Sequence, residues 1–164
     1  MVISAEMNAA LNEQIGHEFA AMLQYVAIAT YFDGDALPLL ARHFYRQADE
    51  EREHAMRFVR FVVEAGGVVA IPAIPAVKST FASAEEAVQL SLDREVTVTR
   101  QINGLMERAL QEHDHATRLM LDWFVAEQVE EVSSMENLLR TIQRAGDGGL
   151  LLVESYLAQR QENT

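Results

Sequence analysis

Asp49-Glu50-Glu51-Arg52-Glu53-His54-Ala55 sets a carboxylate and an imidazole three positions apart in the middle of an apolar helical stripe. Phe44, Ala48, Ala55 and Phe58 stand at i±3, i±4 or i±7 from Glu51 and so share its helix face. A lone Glu-x-x-His is common and mostly solvated, but this one is echoed elsewhere. Glu18 lies 33 residues before Glu51, and Glu95 lies 33 before Gln128, which opens the run Gln128-Val129-Glu130-Glu131. The offset between the halves is 77 residues for Glu18 and Glu95, for Glu51 and Gln128, and for His54 and Glu131.

Each of the other positions also sits on an apolar stripe. Leu11, Ile15, Met22 and Tyr25 surround Glu18, and Val88, Leu92, Val98 and Ile102 surround Glu95. Leu121, Phe124, Val125, Val132 and Met135 surround Gln128. Burying several carboxylates in a packed core costs several kcal/mol each unless a counter-charge is present. No Lys or Arg occupies these stripes, so a bound cation is the simplest explanation.

The same periodicity delimits the helices. One runs over about 5–32 and ends at Asp33-Gly34-Asp35. A second follows, with Asp35 as its expected cap and Pro38 in its first turn, and stops at Gly66-Gly67. Residues 66–82 form a linker with two Pro. A third helix spans about 83–110, capped by Ser83 with Glu85 and Glu86 near its positive end. A polar break at Glu112-His113-Asp114 precedes a fourth helix to about Arg144, and a short apolar helix occupies about 150–160. The midpoints of the two 33-residue spacings, 34.5 and 111.5, fall at the two tight breaks, so each pair is level within an antiparallel hairpin. The 17-residue linker spans roughly 55 Å when extended, more than the ~42 Å of a 28-residue helix. It can return along the whole bundle and leave the second and third helices parallel. The expected fold is all-α: one domain over 1–164, with a four-helix bundle over about 5–144, one long crossover and a terminal fifth helix.

Composition narrows the chemistry. The chain has 164 residues, 49 % hydrophobic, enough for a sizeable core. Its net charge is −12, with 25 acids against 13 bases, of which only Lys78 is Lys. That balance disfavours nucleic acid as a partner, because phosphate contacts need basic side chains. Cys is absent, which excludes disulfides and thiolate metal sites. No apolar stretch has membrane-spanning length and no signal-like start is present, so no membrane partner and a cytoplasmic location are expected. Carboxylates with one imidazole suit iron or manganese, with zinc as a competitor.

The segments Glu18-Phe-Ala-Ala-Met-Leu-Gln-Tyr25, Asp49-Glu-Glu-Arg-Glu-His-Ala55 and Trp123-Phe-Val-Ala-Glu-Gln-Val-Glu-Glu131 resemble bacterial non-haem ferritin, and the likeness covers essentially the whole chain. The resemblance implies a ferritin-like bundle with a buried di-iron ferroxidase centre. Glu18, Glu51 and His54 match one iron site, and Glu51, Glu95 and Glu131 match the second, with Glu51 bridging. Glu50, Glu127 and Glu130, sharing Glu131, match a third iron site. Gln128, Tyr25 and Trp123 match residues beside the pair, Tyr25 to orient a ligand or supply an electron; for Tyr25 and Trp123 plain core packing is an equal reading.

The family's activity would be oxidation of Fe(II) by O2 or H2O2 and deposition of ferric mineral in a hollow cage of twenty-four copies. Asp49, Glu50 and Glu53 would line that cavity, or form an ordinary solvated face, and the apolar tail Leu150–Val153, Tyr156 and Leu157 would pack against neighbouring copies. Bacterioferritin, the haem-bearing relative, has a second Glu-x-x-His on the fourth helix and a haem-ligating Met after the bridging Glu. Here those places hold Gln128–Glu131 and Arg52, so no haem is expected. Arg118 and Leu121 make the start of the fourth helix less acidic than an efficient three-fold iron channel implies. Two rival readings share the bundle: a soluble di-iron or di-manganese oxidoreductase without storage, and a structural assembly with vestigial ligands.

Overall fold

The computed structural model describes residues 2–161, with side chains for 2–159. The ends of the expected 1–164 domain, Met1 and residues 162–164, lie outside the described residues. Four long helices follow one another: α1 (Ala5–Gly34), α2 (Pro38–Glu64), α3 (Ala84–Gln111) and α4 (His115–Ala145). A 3₁₀ turn at Asp147–Gly149 leads into α5 (Leu150–Gln161). There is no strand among the described residues. α1 packs chiefly on α2, and α3 on α4, giving two hairpins that meet mainly between α1 and α3.

Local chemistry explains most of the helix ends. Ser4, Ser83 and Asp114 accept hydrogen bonds from the third residue onward, Met7, Glu86 and Thr117, at 2.9, 3.1 and 2.9 Å. Glu86 reaches back to the Ala82 N–H at 2.6 Å. At the end of α2, Gly66 takes φ 74° and its N–H and that of Gly67 satisfy the Val63 and Val62 carbonyls. Ala36 and His113 occupy the left-handed region in the two hairpin turns, at φ 58° and 55°. That conformation costs a side-chain-bearing residue on the order of 1 kcal/mol.

The cap expected for α2 is not Asp35. The N-cap is Leu37, which has no capping side chain. Glu154 of α5 fills the role from 115 residues away: its carboxylate accepts the N–H groups of Leu39 and Leu40, both at 2.8 Å. The anion also faces the positive end of the α2 dipole.

The crossover runs alongside α1 and in its direction. Asn8 and Asn12 both donate to the Val68 carbonyl and accept from the Val68 and Ala70 N–H groups. Further along, the Gln24 amide pairs with both the N–H and the C=O of Lys78, at 3.0 and 2.7 Å. Between them Gly16 lets Pro72 approach so closely that a Cβ there would strike the Pro ring. The linker therefore returns the chain to the end where α2 began, and α3 runs parallel to α2.

The apolar interior is divided. One cluster joins Tyr25, Ile28, Phe32, Leu40, Phe44, Val88 and Leu139; the other joins Met7, Leu11, Ile15, Phe58, Ile102, Leu121 and Phe124. On every long helix the residues between these clusters include one of the polar positions of the 33-residue spacings. The stripe on α4 is narrower than the sequence pattern implied: Val125 is 37 % exposed and Val132 half-buried.

Candidate metal centre

Between the two apolar clusters, Glu18 from α1, Glu51 and His54 from α2, Glu95 from α3, and Gln128 and Glu131 from α4 are all buried, none more than 5 % exposed. The level pairing of the hairpins brings them together between the flanking apolar layers. Glu18, Glu51 and His54 offer ligand atoms within 4.8 Å of one another. His54, Glu127 and Glu131 form a second such group, so His54 stands between the two. His54 Nδ1 lies 3.3 Å from Glu51 Oε2.

Glu95 is oriented otherwise. The Tyr25 hydroxyl donates to its Oε1, and Gln128 Nε2 lies 3.2 Å from both its Oε2 and its backbone carbonyl. Gln128 also approaches Thr99 Oγ1 at 3.3 Å. Glu95 is thus beside the ligand groups but held toward Tyr25 and Gln128, and it joins neither group. On the opposite side Gln14 donates to Glu18 Oε1 at 2.8 Å. Glu18 Oε2 and Glu51 Oε1 are buried with no donor facing them other than the neighbouring carboxyl.

The electrostatics follow from this crowding. Burial, then the neighbouring Glu51, holds the Glu18 carboxyl well above the usual range. Burial and then Glu95 do the same to Glu51. Burial raises Glu95, although Tyr25 and Gln128 oppose the shift. Burial, with Glu95 and Glu50 adding, pushes Glu131 up to about 8. Burial also raises Tyr25 well above the ordinary phenol value. Four carboxyls resisting ionisation in one buried layer are in a state that a divalent cation relieves by displacing protons. The basic charge missing from the stripes is present one residue off: Arg94 acts favourably on Glu95, with its Nε buried and unpartnered.

The residues matched to a third site lie on the rim. Glu50, Glu127, Glu130 and Glu131 line one open cleft of about 530 Å³ between α2, α4 and α5. Glu50 is half-buried, accepts from Gln47, and lies 3.7 Å from Arg46. Glu130 is exposed and joins neither close group, whereas Glu127 does. Asp49 and Glu53 are exposed on the same helix, and Glu53 is engaged by Arg52 and Arg60.

Trp123 is not a core residue. It is 37 % exposed, with the His54 ring edge-on at 5.4 Å and the Arg57 guanidinium 3.8 Å above its centroid. Tyr25, by contrast, is fully buried. Sequence reasoning missed Gln14, Thr99, Arg57 and Arg94 around the centre. Of these, Gln14 carried a signal, because it stands one turn before Glu18 on the buried side of α1.

Comparison with known proteins places this geometry in context. A profile of the ferritin-like domain matches residues 8–145. Ferritin BfrB of Mycolicibacterium smegmatis is 43 % identical over 157 residues, covering 96 % of this chain and 86 % of its own. The bacterial non-heme ferritin of Staphylococcus aureus is 37 % identical, covering 97 % of both chains. Among solved structures, the open pore ferritin of the archaeon Archaeoglobus fulgidus superposes with a TM-score of 0.91 at 37 % identity, covering 94 % of this chain and 97 % of that one.

Proposed function

The chain belongs to the ferritin family, and from that premise we propose that it binds Fe(II) at the buried centre, oxidises it and stores the ferric product inside a shell of its own copies. The observation that carries the reading is the pair of buried, donorless carboxylate oxygens, Glu18 Oε2 and Glu51 Oε1, beside His54. Ionising such unsatisfied buried carboxyls is costly unless a cation completes them.

In this reading Glu18, Glu51 and His54 hold one Fe(II). Glu51 bridges to a second, which Glu131 and Glu95 complete once Glu95 turns from Tyr25 and Gln128. Tyr25 and Gln128 set the resting orientation of Glu95 and receive it again when iron leaves. Glu127, Glu130 and Glu50, with Glu131, make a third position on the rim, from which iron passes outward. Hard oxygen ligands favour Fe(III) over Fe(II), so the donor set assists the oxidation. Two Fe(II) give one electron each to dioxygen, which takes up two protons and leaves as hydrogen peroxide. Carboxyls that release protons on metal binding lie within the same layer.

The shell reading is supported by α5. Val153 and Glu154 are buried against the bundle, but Leu151 and Leu152 are each 72 % exposed, an apolar surface that neighbouring copies would cover. No helix among the described residues is long and apolar enough to cross a membrane.

Two measurements test the proposal. Anaerobic Fe(II) titration is expected to saturate at two to three ions per chain, followed by rapid oxidation on admitting air. Native mass is expected near 442 kDa, twenty-four times 18.4 kDa. A protein that binds no Fe(II) anaerobically, or that runs as a dimer of about 37 kDa, sinks the ferroxidase or the cage respectively.

A further inference from the structure

The centre has two unlike sides. Toward α2 and α5 it opens into the cleft lined by Glu50, Glu127, Glu130 and Glu131. Toward the seam between α3 and α4 it is backed by an open groove of about 420 Å³, whose surface is mostly apolar, from Ile102, Val125, Val129 and Val132, and which Thr99, Gln128 and the carboxylate of Glu136 also line. Gln128 belongs to both worlds: its side chain lines this groove, and its Nε2 lies 3.2 Å from Glu95 Oε2. The groove is therefore one side chain away from the metal centre. On the wall it shares with the centre, Gln128 meets Thr99 at 3.3 Å.

We propose that the groove between α3 and α4, from exposed Val129 down to Gln128 and Thr99, is the path by which dioxygen reaches the centre, while cationic iron uses the acidic side. The inference rests on the ferroxidase reading and names the route of its oxidant. Its chemical basis is a difference in solvation. Fe(II) carries a tightly held water shell and is drawn to clustered carboxylates, four of which line the other cleft against one, Glu136, in this mostly apolar groove. Dioxygen is uncharged and makes no strong hydrogen bonds, so it partitions into apolar space. Hydrogen peroxide hydrogen-bonds like water and gains nothing from the valine lining. The Gln128–Thr99 contact is long enough to part briefly, and Gln128 keeps its second bond to the Glu95 backbone carbonyl, so passage leaves the ligand in place.

The test fills the groove from its rim. Val129 is 69 % exposed, so Val129→Trp adds a ring over the groove without repacking the core. Stopped-flow oxidation at several oxygen concentrations is expected to show an about tenfold lower second-order dependence on O2. Anaerobic Fe(II) binding and peroxide-driven oxidation are expected to stay at the level of the unaltered protein, as is every readout in the Val129→Ala control. Unchanged O2 dependence in Val129→Trp overturns the route alone, and so does equal loss with O2 and peroxide, which would mean damage to the centre. Failure of the unaltered protein to oxidise Fe(II) at all overturns the ferroxidase reading beneath it. Should Val129→Trp not assemble, xenon pressurisation of crystals of the unaltered protein decides. Xenon, an apolar probe of similar size, is expected in the groove, and an empty groove under pressure refutes the proposal.

Discussion

Glu154 and Leu40 are 114 residues apart, yet the Glu154 carboxylate accepts the Leu40 N–H at 2.8 Å and so fastens the terminal helix to the start of α2. With its second oxygen on the Leu39 N–H, it supplies the cap that the sequence before α2 lacks. Glu154→Ala is expected to destabilise the subunit by about 1–2 kcal/mol, the usual worth of a helix cap. Chemical denaturation checks the magnitude. Hydrogen exchange is expected to show α5 and the first turn of α2 losing protection together, and independent loss would mean the two ends are not coupled.

Glu51→Ala removes the carboxylate that the proposed centre shares between its two iron positions. Its fast phase of aerobic Fe(II) oxidation is expected to vanish while native mass is retained. Because Glu51 is a buried acid with a donorless oxygen, the isosteric Glu51→Gln is also expected to raise the melting temperature of the metal-free protein, by about 2–4 °C per kcal/mol relieved. A fast phase that survives in Glu51→Ala would contradict the assignment.

The metal-free protein is expected to lose stability as pH rises from 5 to 8. Unfolded, the acids of the centre ionise near their ordinary value of 4.5. Folded, Glu18, Glu51 and Glu95 hold their protons above that value, and Glu131 up to about 8. Across that window the folded state binds more protons than the unfolded one, so stability falls with rising pH. Melting curves at fixed ionic strength read the slope. Adding Fe(II) anaerobically at pH 7.5 is expected to restore the lost stability and to release protons into weak buffer.

Glu130→Ala tests the rim separately from the centre. Glu130 is exposed in the acidic cleft and outside both close ligand groups. Its loss is expected to slow later turnovers or iron release while leaving the first oxidation near normal. Equal loss of the first oxidation would argue against a distinct third position.

Gly16→Val is expected to cost about 1–3 kcal/mol, because the side chain must displace Pro72 from its seat on α1. Gly34→Ala, where a Cβ meets nothing, is the matched control. Equal stability of the two variants would mean that the linker adjusts freely.

What was legible in the sequence and what was not divides along range of interaction. The four long helices follow from apolar periodicity and from Gly-marked or polar breaks, which are local signals, and the return of the crossover follows from the length of the linker. The level of Glu18 with Glu51 and of Glu95 with Gln128 follows from the position of the turns alone. The sequence points to Asp35 as the cap of α2, whereas Glu154 supplies it from the far end of the chain, and nothing near Leu37 announces that. The side-chain ladder of Asn8, Asn12 and Gln24 under the crossover did have a signal, polar residues and Gly16 at multiples of four along α1, but that spacing is equally that of a solvated face. The exposure of Trp123 and Val125 and the turn of Glu95 toward Tyr25 depend on how the hairpins meet, which no single helix encodes.

Trp123 is the one tryptophan of the chain, and its ring meets the edge of His54 at 5.4 Å. The protein therefore carries its own optical gauge. Indole emission in this subunit comes from a single place, next to the imidazole of His54, so filling and emptying of the proposed centre is expected to register as quenching and recovery of one fluorophore, with no label attached and no second indole to interfere.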